Sequence, residues 1–425
     1  MIVVALLAAA IAGGDSAGQS APEVAFTVTV QGQFGYRAIC VGPADDLAHA
    51  RRLTGLGWYE RLAWSWRGNQ VAIAGGRSRP VETYPIHVGR ADGTGARAVT
   101  SPRLATEDDS SPAWSPDGTQ IAFVRSVFAG PGADYRRAGV WVADVANHRE
   151  RQLTHELAGT LAWSSTGDVI AADVGADIGD EIVLVKPDGN VERRISLSSL
   201  GRFDRGVSWS PDGLRLAVGG GAIVDRAGRL VGRYAPPSSD DAVSTLPSWS
   251  ADASTIVFER ARTTYDARTN IRSLADADLY SVPAEGGRAV RLTRAPEVDE
   301  DGAAFRPGPV TRAAGTPQPC RIVGGAGRDV IRGTSGDDLV DAGAGADHVA
   351  GRGGDDFLDG GPGNDTLRGG RGSDLLLGGA GADRIYAHDG ASDSVHGGPG
   401  RDSAEVDRGL DIVGGVEIVR TVRRK

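Results

Sequence analysis

The stretch "GGPGNDTLRGGRGSDLLLGGAGADRIYA", Gly360 to Ala387, decides how the C-terminal part of this chain must fold. Glycine pairs, a lone aspartate and an aliphatic return at an interval of nine, a period no helix can use. Laid out in nines from Gly324, the sequence reads "GGAGRDVIR GTSGDDLVD AGAGADHVA GRGGDDFLD GGPGNDTLR GGRGSDLLL GGAGADRIY". Aspartate falls at Asp329, Asp338, Asp347, Asp356, Asp365, Asp374 and Asp383 without a slip. Two residues after each stands an aliphatic, from Ile331 to Ile385. "AHDGASDSVH" then carries one extra residue, and the pattern resumes at Asp393 and Asp402.

Spacing and chemistry together predict a shape. Glycine tolerates positive φ, so the glycine-rich part of each repeat can turn sharply. The remaining residues make a short strand with its aliphatic inward. Two repeats close one coil, and coils stack into a parallel β-roll around a ladder of aliphatics. Aspartates two repeats apart then lie above one another at roughly 5 Å, the spacing of neighbouring strands, where bare carboxylates repel. A cation between them relieves the repulsion. Carboxylates with glycine carbonyls make an all-oxygen cage, which suits calcium better than magnesium or zinc. Asp329, Asp338, Asp347, Asp356, Asp365, Asp374, Asp383, Asp393 and Asp402 are the expected ligands for several calcium ions. Without metal, an acidic, glycine-rich segment with so small a core should be disordered.

This run resembles the calcium-binding nonapeptide repeats of the repeats-in-toxin (RTX, hemolysin-type) family. The resemblance covers about 324 to 405 and implies that the sixth-position aspartates, with carbonyls of the glycine turns, bind calcium. Three departures stand out. Thr334 and Ser335 interrupt the second repeat, Ala342 replaces a leading glycine, and "AHDG" at 387–390 breaks register. Sites there are expected to be weak or missing.

A second periodicity fills the chain up to residue 310. "LAWSWRG" at Trp64, "PAWSPDG" at Trp114, "LAWSSTG" at Trp163, "VSWSPDG" at Trp209, "PSWSADA" at Trp249 and "AAFRPG" at Phe305 recur every 40 to 56 residues or so, the period of a propeller. Ser-Pro-Asp-Gly is a turn, and three short strands follow it, as in "QIAFVR", "GVWVADV" and "ERQLT". The chain opens on the last three strands of a unit ("VAFTVTV", "YRAICVGPADD", "RRLT") and ends the array on a lone first strand at Phe305. That last strand should complete the first blade and leave no free edge. The "AWSPDG…IAF…LT" units resemble TolB-like six-bladed propellers over roughly residues 22 to 312. Such propellers serve as binding platforms and as parts of enzymes, so the resemblance speaks to fold more than to function.

The expected class is therefore all-β: a six-bladed β-propeller followed by a parallel β-roll, a calcium-binding solenoid. Residues 1–21 read as a signal peptide, with an apolar run at Ile2–Ala12 too short to span a bilayer. The propeller occupies 22–310, a proline-rich linker 311–323, the roll 324–405, and a C-terminal cap with a basic tail 406–425. No later segment could span a membrane. The 425 residues carry a net charge of −9 and include 62 glycines, a balance that argues against nucleic acid as partner. Cys40 and Cys320 are the two cysteines. The topology puts them where a disulfide would staple the ring closure to the domain junction.

Catalytic signatures are weak. "GDSAG" at Gly14–Gly18 has the nucleophile-elbow spacing but lies at the signal cleavage region. No H-E-x-x-H occurs, and the histidines, His388 and His396 among them, are scattered. Glu107, Asp108, Asp109, Asp204, Asp299, Glu300 and Asp301 precede innermost strands, and should gather at one mouth of the propeller as an acidic rim or as solvated loop acids. The expectation is a secreted, non-enzymatic, calcium-binding protein, extracellular, surface-associated or periplasmic, with an unknown protein or cell-envelope ligand. The alternatives are a propeller-channel enzyme of sugar lyase or hydrolase type, and a structural envelope or matrix component.

Overall fold

A computed structural model describes residues 23–29, 37–43, 50–54, 58–76, 84–102, 107–128, 135–156, 158–174, 181–198, 206–235, 242–250, 252–266, 271–292, 304–305 and 322–422. These residues form strands and turns, and no helix long and apolar enough to cross a membrane occurs among them. The expected signal peptide lies outside the described residues.

Among the described residues the N-terminal part forms six four-stranded antiparallel sheets. Their innermost strands are Trp58–Trp64, Glu107–Trp114, Ala158–Trp163, Val207–Trp209, Ala242–Trp249 and Ala304–Phe305. Each innermost strand touches the next, and Ala304–Phe305 touches Trp58–Trp64, so the six make a closed ring. The closing strand pairs with Glu23–Thr29 in the register Val24 to Phe305 and Ala25 to Ala304. The first sheet is thus assembled from both ends of the array, as the strand count predicts.

The cores lie between adjacent sheets. Ala122, Val140 and Val142 pack with Trp163, Ile170 and Val183 of the next sheet. The repeated tryptophans add a polar stitch across the same gaps. Trp114 Nε1 donates to Ala63 O at 3.0 Å, Trp209 Nε1 to Ala162 O at 3.2 Å and Trp249 Nε1 to Ser208 O at 3.2 Å. The serine after each tryptophan is buried and ties its own turn. Ser115 Oγ donates to Asp117 Oδ1 at 2.6 Å and accepts the Gln120 N–H at 2.9 Å; Ser210 repeats this with Asp212 and Arg215.

The C-terminal part is a parallel two-sheet roll. Roll sheet one stacks Ile322–Val323, Leu339–Asp341, Phe357–Asp359, Leu375–Leu377, Ser394–His396 and Ile412–Gly414. Roll sheet two stacks Val330–Arg332, His348–Gly353, Thr366–Arg371, Arg384–Ala387, Ser403–Asp407 and Ile418–Val422. Val340 pairs with Leu358 and Leu358 with Leu376; opposite them Val349 pairs with Leu367 and Leu367 with Ile385. These aliphatics form one continuous buried cluster between the sheets, each worth roughly 1.5–3 kcal/mol of burial. The nine-residue spacing runs on into the segment read as a cap, with Asp411 nine residues after Asp402 and Val413 paired with Val395, and both sheets gain one further strand there.

Candidate calcium centre

The repeat places all nine predicted aspartates on the turns that join the two sheets, and eight of them, Asp338 to Asp402, are at most 3% exposed. Their two carboxylate oxygens have different surroundings. From Asp347 on, the Oδ1 of each accepts a backbone N–H from the aspartate one coil earlier: Asp338 N to Asp356, Asp347 N to Asp365, Asp356 N to Asp374 and Asp365 N to Asp383, at 2.7–2.9 Å. One ladder begins at Asp329 N to Asp347. Both continue past the register break, Asp374 N to Asp393 at 2.8 Å and Asp383 N to Asp402 at 2.9 Å. The extra residue is absorbed in the turn, the coil step lengthening so that Leu376 pairs with Val395.

The Oδ2 atoms are otherwise. Those of Asp347, Asp356, Asp365, Asp374, Asp383, Asp393 and Asp402 are buried without a hydrogen-bond partner, an arrangement that costs free energy unless something cationic or protic answers it. Those of Asp356, Asp365, Asp374, Asp383 and Asp402 each face the leading glycine of their own repeat. A Cβ on Gly360 would lie 2.7 Å from Asp365 Oδ2 and 2.6 Å from Gly378 O; one on Gly378 would lie 2.6 Å from Asp383 Oδ2 and 2.5 Å from Gly397 O. A methyl group cannot enter such a gap, but carboxylate and carbonyl oxygens converge on it. That donor set is the hard-oxygen kind calcium takes. Among the described residues no three His, Cys, Asp or Glu side chains converge, so a bound ion would draw on backbone carbonyls for much of its shell.

Metal-free, the buried carboxylates resist ionisation. Burial, reinforced by neighbouring carboxylates, pushes Asp356 up to about 8, Asp365 and Asp374 to about 7, and Asp383 and Asp393 to about 6.

The departures from the repeat have separate outcomes. Asp338 Oδ2 accepts the Thr334 N–H at 2.6 Å and lies 3.1 Å from Thr334 Oγ1, so the threonine fills the role left open elsewhere. Asp329 Oδ2 accepts the Gly325 N–H at 2.7 Å. Ala342 puts a methyl where its counterparts are glycine, while Asp347 Oδ2 still lacks a partner. Two residues outside the predicted set finish the ladders. Asp411 Oδ1 accepts the Asp393 N–H at 3.0 Å, and Glu417 Oε2 accepts the Asp402 N–H at 2.6 Å. Glu417 stands fifteen residues beyond its donor rather than eighteen, so a period-nine search passes over it.

The propeller mouth differs from the expected rim. Asp109 is buried and chelates Arg125, Nε to Oδ1 at 2.7 Å and Nη2 to Oδ2 at 2.8 Å, with Glu150 on the same guanidinium at 2.8 Å. Its carboxylate is internally paired because Arg125, also buried over Phe123 and Trp141, would otherwise be an uncompensated charge. Asp204, Asp299, Glu300 and Asp301 lie outside the described residues, as does Cys320. Cys40 is buried in Arg37–Pro43.

Residues 323–358 and 359–392 match the RTX calcium-binding nonapeptide repeat family. A TolB homolog of Chlorobium luteolum is 32% identical over 227 residues, 50% of this chain and 46% of that protein; the chain thus matches about half the length of this relative. Among solved structures, one described as TolB from Agrobacterium tumefaciens has a TM-score of 0.43 at 18% identity, covering 69% of this chain and 100% of the other. A puromycin-hydrolyzing peptidase of Mycobacterium tuberculosis has a TM-score of 0.40 at 12% identity over 79% and 62% of the two chains. An oligogalacturonate lyase in complex with manganese has 0.32 at 15% identity over 44% and 51%. The chain carries a TolB-like propeller and, C-terminal to it, RTX calcium-binding repeats.

Proposed function

We propose that this is a secreted protein whose roll folds on calcium and whose propeller is a non-catalytic platform for a protein or cell-envelope ligand. The observation that carries the calcium reading is the set of seven buried Oδ2 atoms without a partner. Asp347, Asp356, Asp365, Asp374, Asp383, Asp393 and Asp402, with carbonyls of the glycine turns, would hold several ions. Calcium supplies the positive charge these carboxylates otherwise lack. Secretion, extracellular or periplasmic, fits a roll that needs abundant calcium, and the apolar N-terminal run supports it. A Cys40–Cys320 disulfide belongs to the same reading, since an oxidising compartment permits it.

The test is a calcium titration of the full chain followed by far-UV circular dichroism. Added β signal with a midpoint of roughly 0.1 to 1 mM, the range of extracellular modules, reversed by chelator and absent with magnesium, supports the reading. An unchanged spectrum with no bound metal overturns it.

A further inference from the structure

The outward face of roll sheet two differs from that of its partner sheet. Positions flanking each buried aliphatic point away from the core, and on sheet two they carry exposed Arg332, His348, Arg368 and Arg384, one on each of four successive strands. The four alternate between two columns. Arg332 and Arg368 follow the aliphatic of their strands, His348 and Arg384 precede it. Among the described residues, the equivalent positions of sheet one hold no arginine or lysine; Leu339, Phe357 and Leu375 stand there and are buried. In a chain of net charge −9, this is a local reversal of sign.

Two further observations bear on the same face. Arg352, exposed near the end of the strand His348–Gly353, has φ of 84°, a left-handed conformation that glycine takes without strain. A charged side chain is held where most of the repeats put glycine, and Arg371 lies one coil along, the partner of Gly353. Among the described residues none of these five arginines has an ion-pair partner. The guanidinium of Arg368 sits 4.0 Å from the ring centroid of Tyr386, which follows Arg384 on the next strand by two positions. The half-buried Tyr386 ring thus holds the Arg368 guanidinium in place on this face.

We infer that this face binds a linear carboxylated polysaccharide laid along the roll axis. The lane is two side-chain columns wide, about one polymer strand, and too narrow to follow a nucleic-acid duplex. Successive strands are about 4.8 Å apart, and a pyranose ring advances a linear chain by a similar length. A two-fold polyuronate therefore presents its carboxylates left and right in turn, once per ring, as the basic residues alternate once per strand. Arginine suits this because its fork meets a carboxylate with two parallel hydrogen bonds. The inference rests on the calcium reading only in so far as calcium stacks the coils, since the lane exists only when they are stacked.

The test uses the full chain in saturating calcium, with circular dichroism recorded on the same samples. Isothermal titration compares a six-ring oligouronate with a neutral glucan of equal length, a single-stranded DNA oligomer and phosphatidylglycerol vesicles. The oligouronate alone should bind, and more weakly as salt rises. Combined Arg332→Ala, Arg368→Ala and Arg384→Ala should weaken it by about tenfold or more, and Arg352→Gly by about threefold, each with unchanged dichroism. Arg352→Gly supplies the residue the backbone there favours, so misfolding cannot account for its effect. A folded, calcium-loaded roll that ignores the oligouronate, binds it equally after arginine loss, or prefers DNA or vesicles overturns the lane and leaves the calcium reading standing. A roll indifferent to calcium overturns that reading, and oligouronate binding lost with the arginines would still uphold the lane.

Discussion

At the level of single residues, each aspartate of the roll divides its labour. One oxygen holds the backbone of the preceding coil, and the other waits for a cation. Asp365→Asn keeps an acceptor for the Asp347 N–H but replaces half of the carboxylate's charge-bearing pair with an amide. It should raise the calcium midpoint by about tenfold or more, since even outer-shell changes at metal sites cost that much. Asp338→Asn should do far less, because Thr334 already serves its Oδ2. Metal content by mass spectrometry, with dichroism, separates the two variants; equal losses would mean the Thr334 contact does not close the site. Gly360→Ala places a methyl 2.7 Å from Asp365 Oδ2 and should match Asp365→Asn in effect. The aspartates and aliphatics were legible in the sequence because their period is strict. Asp411 keeps that period, nine residues after Asp402, but its repeat has lost the leading glycines that mark the others; Glu417 breaks the period, and its role depends on a coil that only the fold reveals.

For the roll as an element, the raised carboxylate pKa values set a pH dependence. In the metal-free chain Asp356, Asp365, Asp374, Asp383 and Asp393 hold protons up to about pH 6 to 8 when folded, but only to about pH 4 when unfolded. The folded state then binds more protons between those limits. Its stability is greatest at the acidic end and falls as pH rises through the folded values. The calcium-free roll should accordingly gain β signal on acidification from about pH 8 to about pH 5, while calcium competes with protons and its midpoint rises. A metal-free spectrum independent of pH would contradict this. Removing the chain after Asp407 deletes both Asp411 and Glu417, leaves Asp393 N–H and Asp402 N–H without acceptors, and should abolish or greatly weaken the calcium-induced signal. In the propeller, the sequence marked each blade by its tryptophan turn and its half-buried strands. The hydroxyl of the following serine, which closes the turn onto its own fifth residue, gave no separate signal beyond its repetition in five segments. The acidic mouth was misjudged at Asp109, whose partner Arg125 lies sixteen residues away, beyond what spacing alone can pair.

Across the whole molecule, two kinds of cohesion coexist. The propeller has buried inter-sheet cores and a ring shut by the pairing of Val24 with Phe305, neither of which involves the predicted metal ligands. Calorimetry should therefore show one transition that moves with calcium and one that does not; a single transition shifting as a whole would mean that the two units unfold together. Thiol titration under denaturing conditions should find reactive cysteine only after reductant. Equal counts with and without it would remove the disulfide. The ladder of the roll has a further consequence, one of timing. Every N–H of the predicted aspartates reaches toward a carboxylate that comes later in the chain, and the last are answered by Asp411 and Glu417. The chain is made from its N-terminus, so each coil is synthesised before the group that secures it. A growing chain therefore always holds its newest coil unsecured until the next has emerged, and support runs backward against the order of synthesis.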